Sequence, residues 1–191
     1  MRLQRTGYKV VLRDKRRTDA PNDYAWSIDE ELCHLDAARP SMLSFQDAMM
    51  LYEEELLYPP RRRIRFGIDA LDGSHIGNCM VYDIDLVKSQ AELGIMIGDR
   101  RYWGKSFGTE AVDLLLEYGF TEARLHRIYL HTLDWNERAL KSFQKAGFLL
   151  LGKVLRNGHT FLSMEILKGD WEARREAERE DVETSAGQRP A

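Results

Sequence analysis

The sequence predicts a mixed α/β fold, and three observations predict it. Short apolar runs of strand character recur from residue 8 to residue 167, and turn dipeptides, Asp72-Gly73 and Asn157-Gly158, join two pairs of them as hairpins. Amphipathic helical segments fall between other strands, at 109–123 and 134–147. Read along the chain, the order is β α α β β β α β α β β. Hairpins followed by a β-α-β-α-β stretch and a last hairpin give a central, mostly antiparallel sheet with flanking helices.

Each element has its own reason. YKVVLRD at 8–14 has the short apolar centre of a strand. The segment 23–38 sets Trp26, Leu32 and Leu35 among acids and reads as a helix. The next, 44–58, opens with Ser44 and has Asp47 three residues on, which fits a helix start, and Pro59-Pro60 stop it. Strands are predicted at 61–70, 75–85 and 91–97. Between 109 and 123, Ala111, Leu114, Leu115 and Tyr118 share one helical face. RIYLHTL at 127–133 is a strand; the helix at 134–147 takes Asp134 as its cap and Gly147 as its stop. Strands at 148–155 and 160–167 close the order. Residues 1–170 form one domain, and 171–191 are a charged tail expected to be disordered, though its first part can extend as a charged helix.

Bulk composition excludes several roles. The 191 residues are 43% hydrophobic and 31% charged with a net charge of −3, which suits one soluble globular domain and lacks the basic face of a nucleic-acid binder. Cys33 and Cys79 form no C-x-x-C pair, so no metal site is expected. The N-terminus has no apolar run of a secretory signal, and no segment approaches the roughly 18 apolar residues of a membrane span. The expectation is a cytoplasmic protein with no membrane or nucleic-acid partner.

The chemistry concentrates in GDRRYWGKSFGTEA at 98–111. Its Gly-Lys-Ser suggests a nucleoside triphosphate loop, G-x-x-x-x-G-K-[ST]. Here five residues, not the four of that motif, separate Gly98 from Gly104, and Arg100, Arg101, Tyr102 and Trp103 among them are bulky. A second cradle needs only a strand, a tight loop and a helix N-terminus. Amides of the first helical turn carry about half a positive charge and hold a pyrophosphate without metal. Gly104 and Gly108 let the backbone approach the ligand, and Ser106 and Thr109 add hydroxyls. A pyrophosphate with no magnesium carboxylate beside it points to coenzyme A.

Residues 91–120, AELGIMIGDRRYWGKSFGTEAVDLLLEYGF, together with LHTLDWNERALKSFQKAGF at 130–148, resemble the GNAT family of N-acetyltransferases. The branch they look like acetylates the N-terminal alanine of ribosomal proteins. The resemblance implies a GNAT-like fold and acetyl-CoA as co-substrate, with no metal. The family loop [QR]-x-x-G-x-[GA] falls on Trp103, Gly104, Lys105, Ser106, Phe107 and Gly108, followed by Thr109. Ser106 departs from the family's glycine, so it needs either a negative φ or tolerated strain. The pantetheine arm is implied to lie as an added strand between 91–97 and 127–133, with Met96 and Ile97 as its contacts. Asn136 matches an asparagine near the thioester, and is also an ordinary helix-start residue. Lys141 and Lys145 reach toward phosphates or form a solvated face.

Acetyl transfer requires a base, an oxyanion donor and a leaving thiol. Alternation puts Glu92, Gly94 and Met96 on one strand face, and Glu92 is the candidate base, with Asp83 and Asp134 behind it. The same glutamate also reads as a structural carboxylate. The general-acid positions of the family fall on Ala139 and Phe143, neither of which can donate a proton; Ser142 is one step round the helix. A thiol pKa of about 8.5 lets the thiolate leave without a dedicated acid. Two functions therefore stand: an N-acetyltransferase acting on a primary amine, small molecule or protein N-terminus, by direct attack in a ternary complex, or a non-catalytic acyl-CoA-binding or interaction module. Asp29, Glu30, Glu31, Glu53, Glu54 and Glu55 either favour a cationic acceptor or are exposed helix faces. Exposed strand edges allow a homodimer.

Overall fold

The computed structural model describes residues 4–187. Its eight strands are β1 (Gln4–Thr6), β2 (Val10–Asp14), β3 (Arg63–Ala70), β4 (His75–Asp85), β5 (Gln90–Ile97), β6 (Arg127–Leu133), β7 (Leu149–Arg156) and β8 (His159–Leu167). They form one sheet in the order β1-β2-β3-β4-β5-β6-β8-β7. Neighbours are antiparallel except β5 and β6, which run parallel because helix α4 (Phe107–Thr121) crosses between them. The expected mixed sheet is therefore present, with β1 added. Three residues are too few to show a strand period, and β1 forms because Gly7 turns the chain back, its N–H donating to Val10 O at 2.9 Å.

The expected helix over 23–38 is two helices, α1 (Ala20–Ser27) and α2 (Glu30–Leu35). Asp29 makes the break: its carboxylate accepts from Leu32 N at 3.0 Å and caps α2. Helix α3 (Phe45–Leu57) is capped as the sequence indicates, with Ser44 Oγ accepting from Asp47 N at 3.1 Å. Helix α5 (Glu137–Lys145) starts later than expected. Asn136 is its cap, and Asp134 instead pairs with Lys153 at 3.1 Å.

Disorder was expected beyond the domain, and the structure differs there. Helix α6 runs Lys168–Gly187, so 181–187 continue it; 188–191 lie outside the described residues. Trp171, Arg174 and Arg175 share one face of α6. Trp171 is 6% exposed and packs on Phe120 of α4, while Arg174 bonds Asp113 of α4 at 2.8 Å and the Lys145 carbonyl of α5 at 2.9 Å. A charged composition hid a docked face, because only one residue in it is apolar enough to anchor.

The core lies between one face of the sheet and α4. Val81, Leu93, Ile128 and Met164 meet Val112, Leu115, Leu116 and Phe120 there, all buried. The opposite face carries α1, α2 and α3. Asp23 of α1 bonds Asn78 at 2.7 Å, and Trp26 lies flat on Gly98, where a Cβ would stand 2.2 Å from the indole. At the far edge, β7 exposes Leu149, Leu150, Leu151 and Leu155.

Candidate active site

β5 and β6 pair over only three residues, Gln90↔Arg127, Ala91↔Ile128 and Glu92↔Tyr129, and then part. The phase of β5 decides which backbone groups face the gap. Gly98 N donates to Ile76 O at 2.9 Å, just past the Gly77↔Ile97 pair. Even-numbered residues of β5 therefore turn their N–H and C=O to β4, and Leu93, Ile95 and Ile97 turn theirs to the gap. Met96 and Ile97 were the expected contacts; Ile95 and Ile97 hold the gap-facing backbone, while the backbone of Met96 belongs to β4. The Ile97 carbonyl accepts from the Trp103 indole N–H at 2.6 Å.

The loop after β5 is built to leave a helix end open. Asp99 caps a 3-10 turn at Arg100–Tyr102, Gly104 takes φ +70°, and Ser106 takes φ +67° just before α4. The N–H groups of Phe107, Gly108 and Thr109 have no acceptor within the helix, and the Ser106 side chain does not cap them. These amides and the helix dipole form an anion cradle. Ser106 thus adopts the strained alternative, left-handed backbone on a residue with a Cβ. Ser106→Gly relieves about 1–2 kcal/mol of left-handed cost and gives back part as unfolded-chain entropy, so melting should rise by about 2 °C. A scanning-calorimetry melt that stays level or falls would show the strain is not there.

The gap, the loop, α2 and α5 enclose a cavity of about 570 Å³. Met96, Ile97, Trp103, Gly104, Ser106, Phe107, Gly108, Thr109 and Asn136 all line it. Lys105 and Glu92 do not; the Lys105 carbonyl instead accepts from Lys9 Nζ at 3.0 Å. Asn136 lines the cavity, and its Oδ1 accepts from Ala139 N at 3.2 Å as a cap. Ser142 proves to face the cavity, its hydroxyl 2.9 Å from that of Thr109, on the side of the α4 amides. Ala139 and Phe143 also line it, so both family acid positions are apolar in place. Arg138 stacks on Trp103, 3.6 Å from the ring centroid, and burial lowers its guanidinium pKa against the pull of Glu31. A gap edged by free backbone groups and ending on open helix amides fits a pantetheine arm with its pyrophosphate. Among the described residues no cluster of His, Cys, Asp or Glu is arranged to hold a metal ion, and no helix is long and apolar enough to cross a membrane.

Glu92 sits at the closed end of the gap, on the face that carries α1 to α3, and is 7% exposed. His131 Nδ1 lies 2.8 Å from its Oε1. Sequence reading missed His131, because the contact spans a parallel pair whose register no local pattern reveals. The phenol of Tyr82 stands beside the same carboxylate; burial and then Glu92, Asp36 and Asp83 raise its pKa well above the ordinary value. Asp83 sits at a bulge in β4 with φ +49°, and Asp134 is paired to Lys153.

The family model for the acetyltransferase (GNAT) domain matches residues 9–149. The chain belongs to the GNAT family. Among its GNAT relatives, an uncharacterized N-acetyltransferase p20 of Bacillus licheniformis is 42% identical over 79 residues, which is 39% of this chain and 44% of the relative. Spermidine N(1)-acetyltransferase of Escherichia coli is 30% identical over 112 residues, 59% of this chain and 58% of the relative. The chain thus spans about half the length of these curated relatives. Spermidine N-acetyltransferase from Vibrio cholerae, solved with CoA and spermine, shares the fold with a TM-score of 0.77 at 24% identity, covering 86% of this chain and 99% of that one.

Proposed function

We propose that the chain is an acetyl-CoA-dependent N-acetyltransferase acting on a primary amine by direct attack in a ternary complex. One observation carries the reading: β5 and β6 part beyond the Glu92↔Tyr129 pair, and the parted end of β5 lines a cavity that ends on the open amides of α4. Acetyl-CoA supplies an acetyl thioester. Phe107, Gly108 and Thr109 N–H hold its pyrophosphate, with the Thr109–Ser142 hydroxyl pair beside them. Ile95 and Ile97 backbone groups orient the arm as an added strand. Gap-facing N–H groups of β5 are the donors available to a developing oxyanion. The Glu92–His131 pair takes the amine's proton, and the thiolate leaves without a protein acid.

The acceptor we infer is a small polycationic amine. Glu92, Asp36 and Asp83 all act electrostatically on the Tyr82 phenol, Asp36 also lining the cavity, and carboxylates beside an aromatic ring suit an ammonium group. A relative and a structural neighbour acting on spermidine support the same class. The test is thermal stability with acetyl-CoA and, separately, with ATP and magnesium, followed by a panel of amines read by thiol release. Acetyl-CoA at about 100 times its dissociation constant adds roughly 2.7 kcal/mol. Stabilisation by ATP alone would sink the reading, and coenzyme binding with no amine acetylated would leave a non-catalytic acyl-CoA-binding module.

A further inference from the structure

We propose that the group that accepts the amine's proton is Nε2 of His131, and that Glu92 is the carboxylate that positions it. The proposal rests on the acetyltransferase reading above and names the base within it.

The hydrogen bond fixes the roles. An ionised carboxylate has no proton to give, so His131 Nδ1 donates to Glu92 Oε1 at 2.8 Å. In the neutral ring the lone pair is then on Nε2. This is the arrangement by which a buried carboxylate holds a histidine base in one tautomer and stabilises the imidazolium that forms. Both side chains are only 9% exposed. Nε2 has no hydrogen-bond partner among the described residues, and it is not among the buried atoms sealed without one. Glu92 is the poorer base of the two: one oxygen is already bonded to the ring, and the Tyr82 phenol crowds the carboxylate. Imidazole, unlike a carboxylate, ordinarily titrates near neutrality, where a base for an ammonium is most effective.

Position supports the same assignment. Glu92↔Tyr129 is the last pair before β5 and β6 part. His131 is two residues past Tyr129 and therefore the first side chain of that face beyond the join. Across from it, Gly94 is two residues past Glu92. A Cβ on Gly94 would stand 3.3 Å from both Met80 Cε and Tyr82 Cε1, tighter than an ordinary contact, so those two side chains lie close over the glycine. The charged and titratable groups around His131 and Glu92 are Tyr82 and Asp83 from β4, Asp36 after α2, Tyr129 from β6 and Arg156 from β7. Arg156 Nη1 lies 3.4 Å from Nδ1, a contact between two donors and not a bond.

An N–H of the acceptor ammonium breaks and its proton goes to Nε2, leaving the nitrogen lone pair free. That pair forms the C–N bond at the thioester carbonyl, and the carbonyl electrons move to oxygen. Their return breaks the C–S bond, and sulfur leaves with its electron pair. The second amine proton goes to the thiolate, and the imidazolium returns its proton to solvent.

His131→Gln should lower kcat by about 10²–10⁴-fold and leave stabilisation by acetyl-CoA unchanged. It should also erase the histidine limb of the kcat/KM–pH profile. Glu92→Gln should keep that limb, because the ring that accepts the proton is still present. Loss of the limb in Glu92→Gln and its survival in His131→Gln would overturn the proposal and make Glu92 the base. Nitrogen NMR of histidine-labelled wild type adds a readout independent of turnover and of how the variants fold. It should show His131 as the Nδ1–H tautomer, and an Nε2–H ring would overturn the proposal. Wild type that turns over while His131→Gln is unimpaired defeats this proposal alone. Wild type that binds acetyl-CoA and acetylates no amine defeats the acetyltransferase reading with it.

Discussion

Gly108→Val should remove acetyl-CoA binding and leave the fold standing. Gly108 is the second residue of α4, and its amide is one of three that open on the cavity. A Cβ there would lie 3.6 Å from Ile97 Cγ1 and 4.0 Å from Ser142 Oγ, ordinary contacts, so the protein itself accommodates the side chain. Its backbone is not left-handed, so valine costs only the few tenths of a kcal/mol of a β-branched residue in a helix. The valine methyls instead occupy the approach to the amides. Displacing a pyrophosphate from two charge-assisted hydrogen bonds costs about 3–6 kcal/mol, at least a hundredfold in affinity. Titration calorimetry measures the affinity, and the melt of the free variant checks the fold. A variant that melts normally and still binds acetyl-CoA tightly would mean the phosphates sit elsewhere than the start of α4.

How much of this was legible in the sequence depends on the range of the interaction. The loop was legible because its chemistry is local: Gly104, Gly108 and the helix start lie within one turn of each other. So were the hairpins at Asp72-Gly73 and Asn157-Gly158, the second closed by just those two residues and the first by Leu71 to Gly73 between Ala70 and Ser74. The break between α1 and α2 was hidden by a continuous run of acids, among which nothing marks Asp29 as the one whose carboxylate turns back on Leu32 N. Met96 in place of Ile95 could not be corrected from sequence, because a lone strand does not say which of its residues bond to which neighbour; only the β4 register does. Ser106 carried a local signal, a serine where the family has glycine, but not its outcome. His131 carried none. It meets Glu92 across a parallel pair that depends on α4 bringing β6 alongside β5. Short-range chemistry was thus readable and cross-strand chemistry was not, and the catalytic proposal rests on the second kind.

The same limit hid a buried charge cluster, Arg13 with Asp19 and Asp69. Arg13→Met should destabilise the protein by about 3–5 kcal/mol, a fall in melting temperature of about 10 °C. Arg13 is buried, and its guanidinium lies across Gly67, where a Cβ would stand 2.0 Å from Nη1. All of its N–H donors are engaged: Nε and Nη2 bond Asp69 at 2.8 and 2.6 Å, Nη1 and Nη2 bond Asp19 at 2.5 and 2.7 Å, and Nη1 also bonds the Asp14 carbonyl at 3.2 Å. Methionine fills the volume but leaves two buried carboxylates without their shared cation, Lys15 and Arg16 being more distant partners of them. The pH dependence has a definite sign. Burial pushes the Asp19 carboxyl up, but hydrogen bonds from Arg13 and the Arg16 N–H outweigh it and hold the pKa below the ordinary value. Wild type therefore gains stability from Asp19 above the ordinary carboxylate range and loses it as pH falls through the depressed value. Without Arg13, burial prevails and Asp19 protonates more readily folded than unfolded. The penalty of the variant should be largest at neutral pH and shrink below about pH 4, as the Asp19 carboxyl takes up its proton. Adding Asp19→Asn and Asp69→Asn to Arg13→Met should recover part of the loss at neutral pH, because the uncompensated charges go. Denaturant melts at pH 7 and pH 4 measure both effects. A penalty independent of pH, and not relieved by the asparagines, would mean that Arg13 acts through packing of its stem and not through its charge.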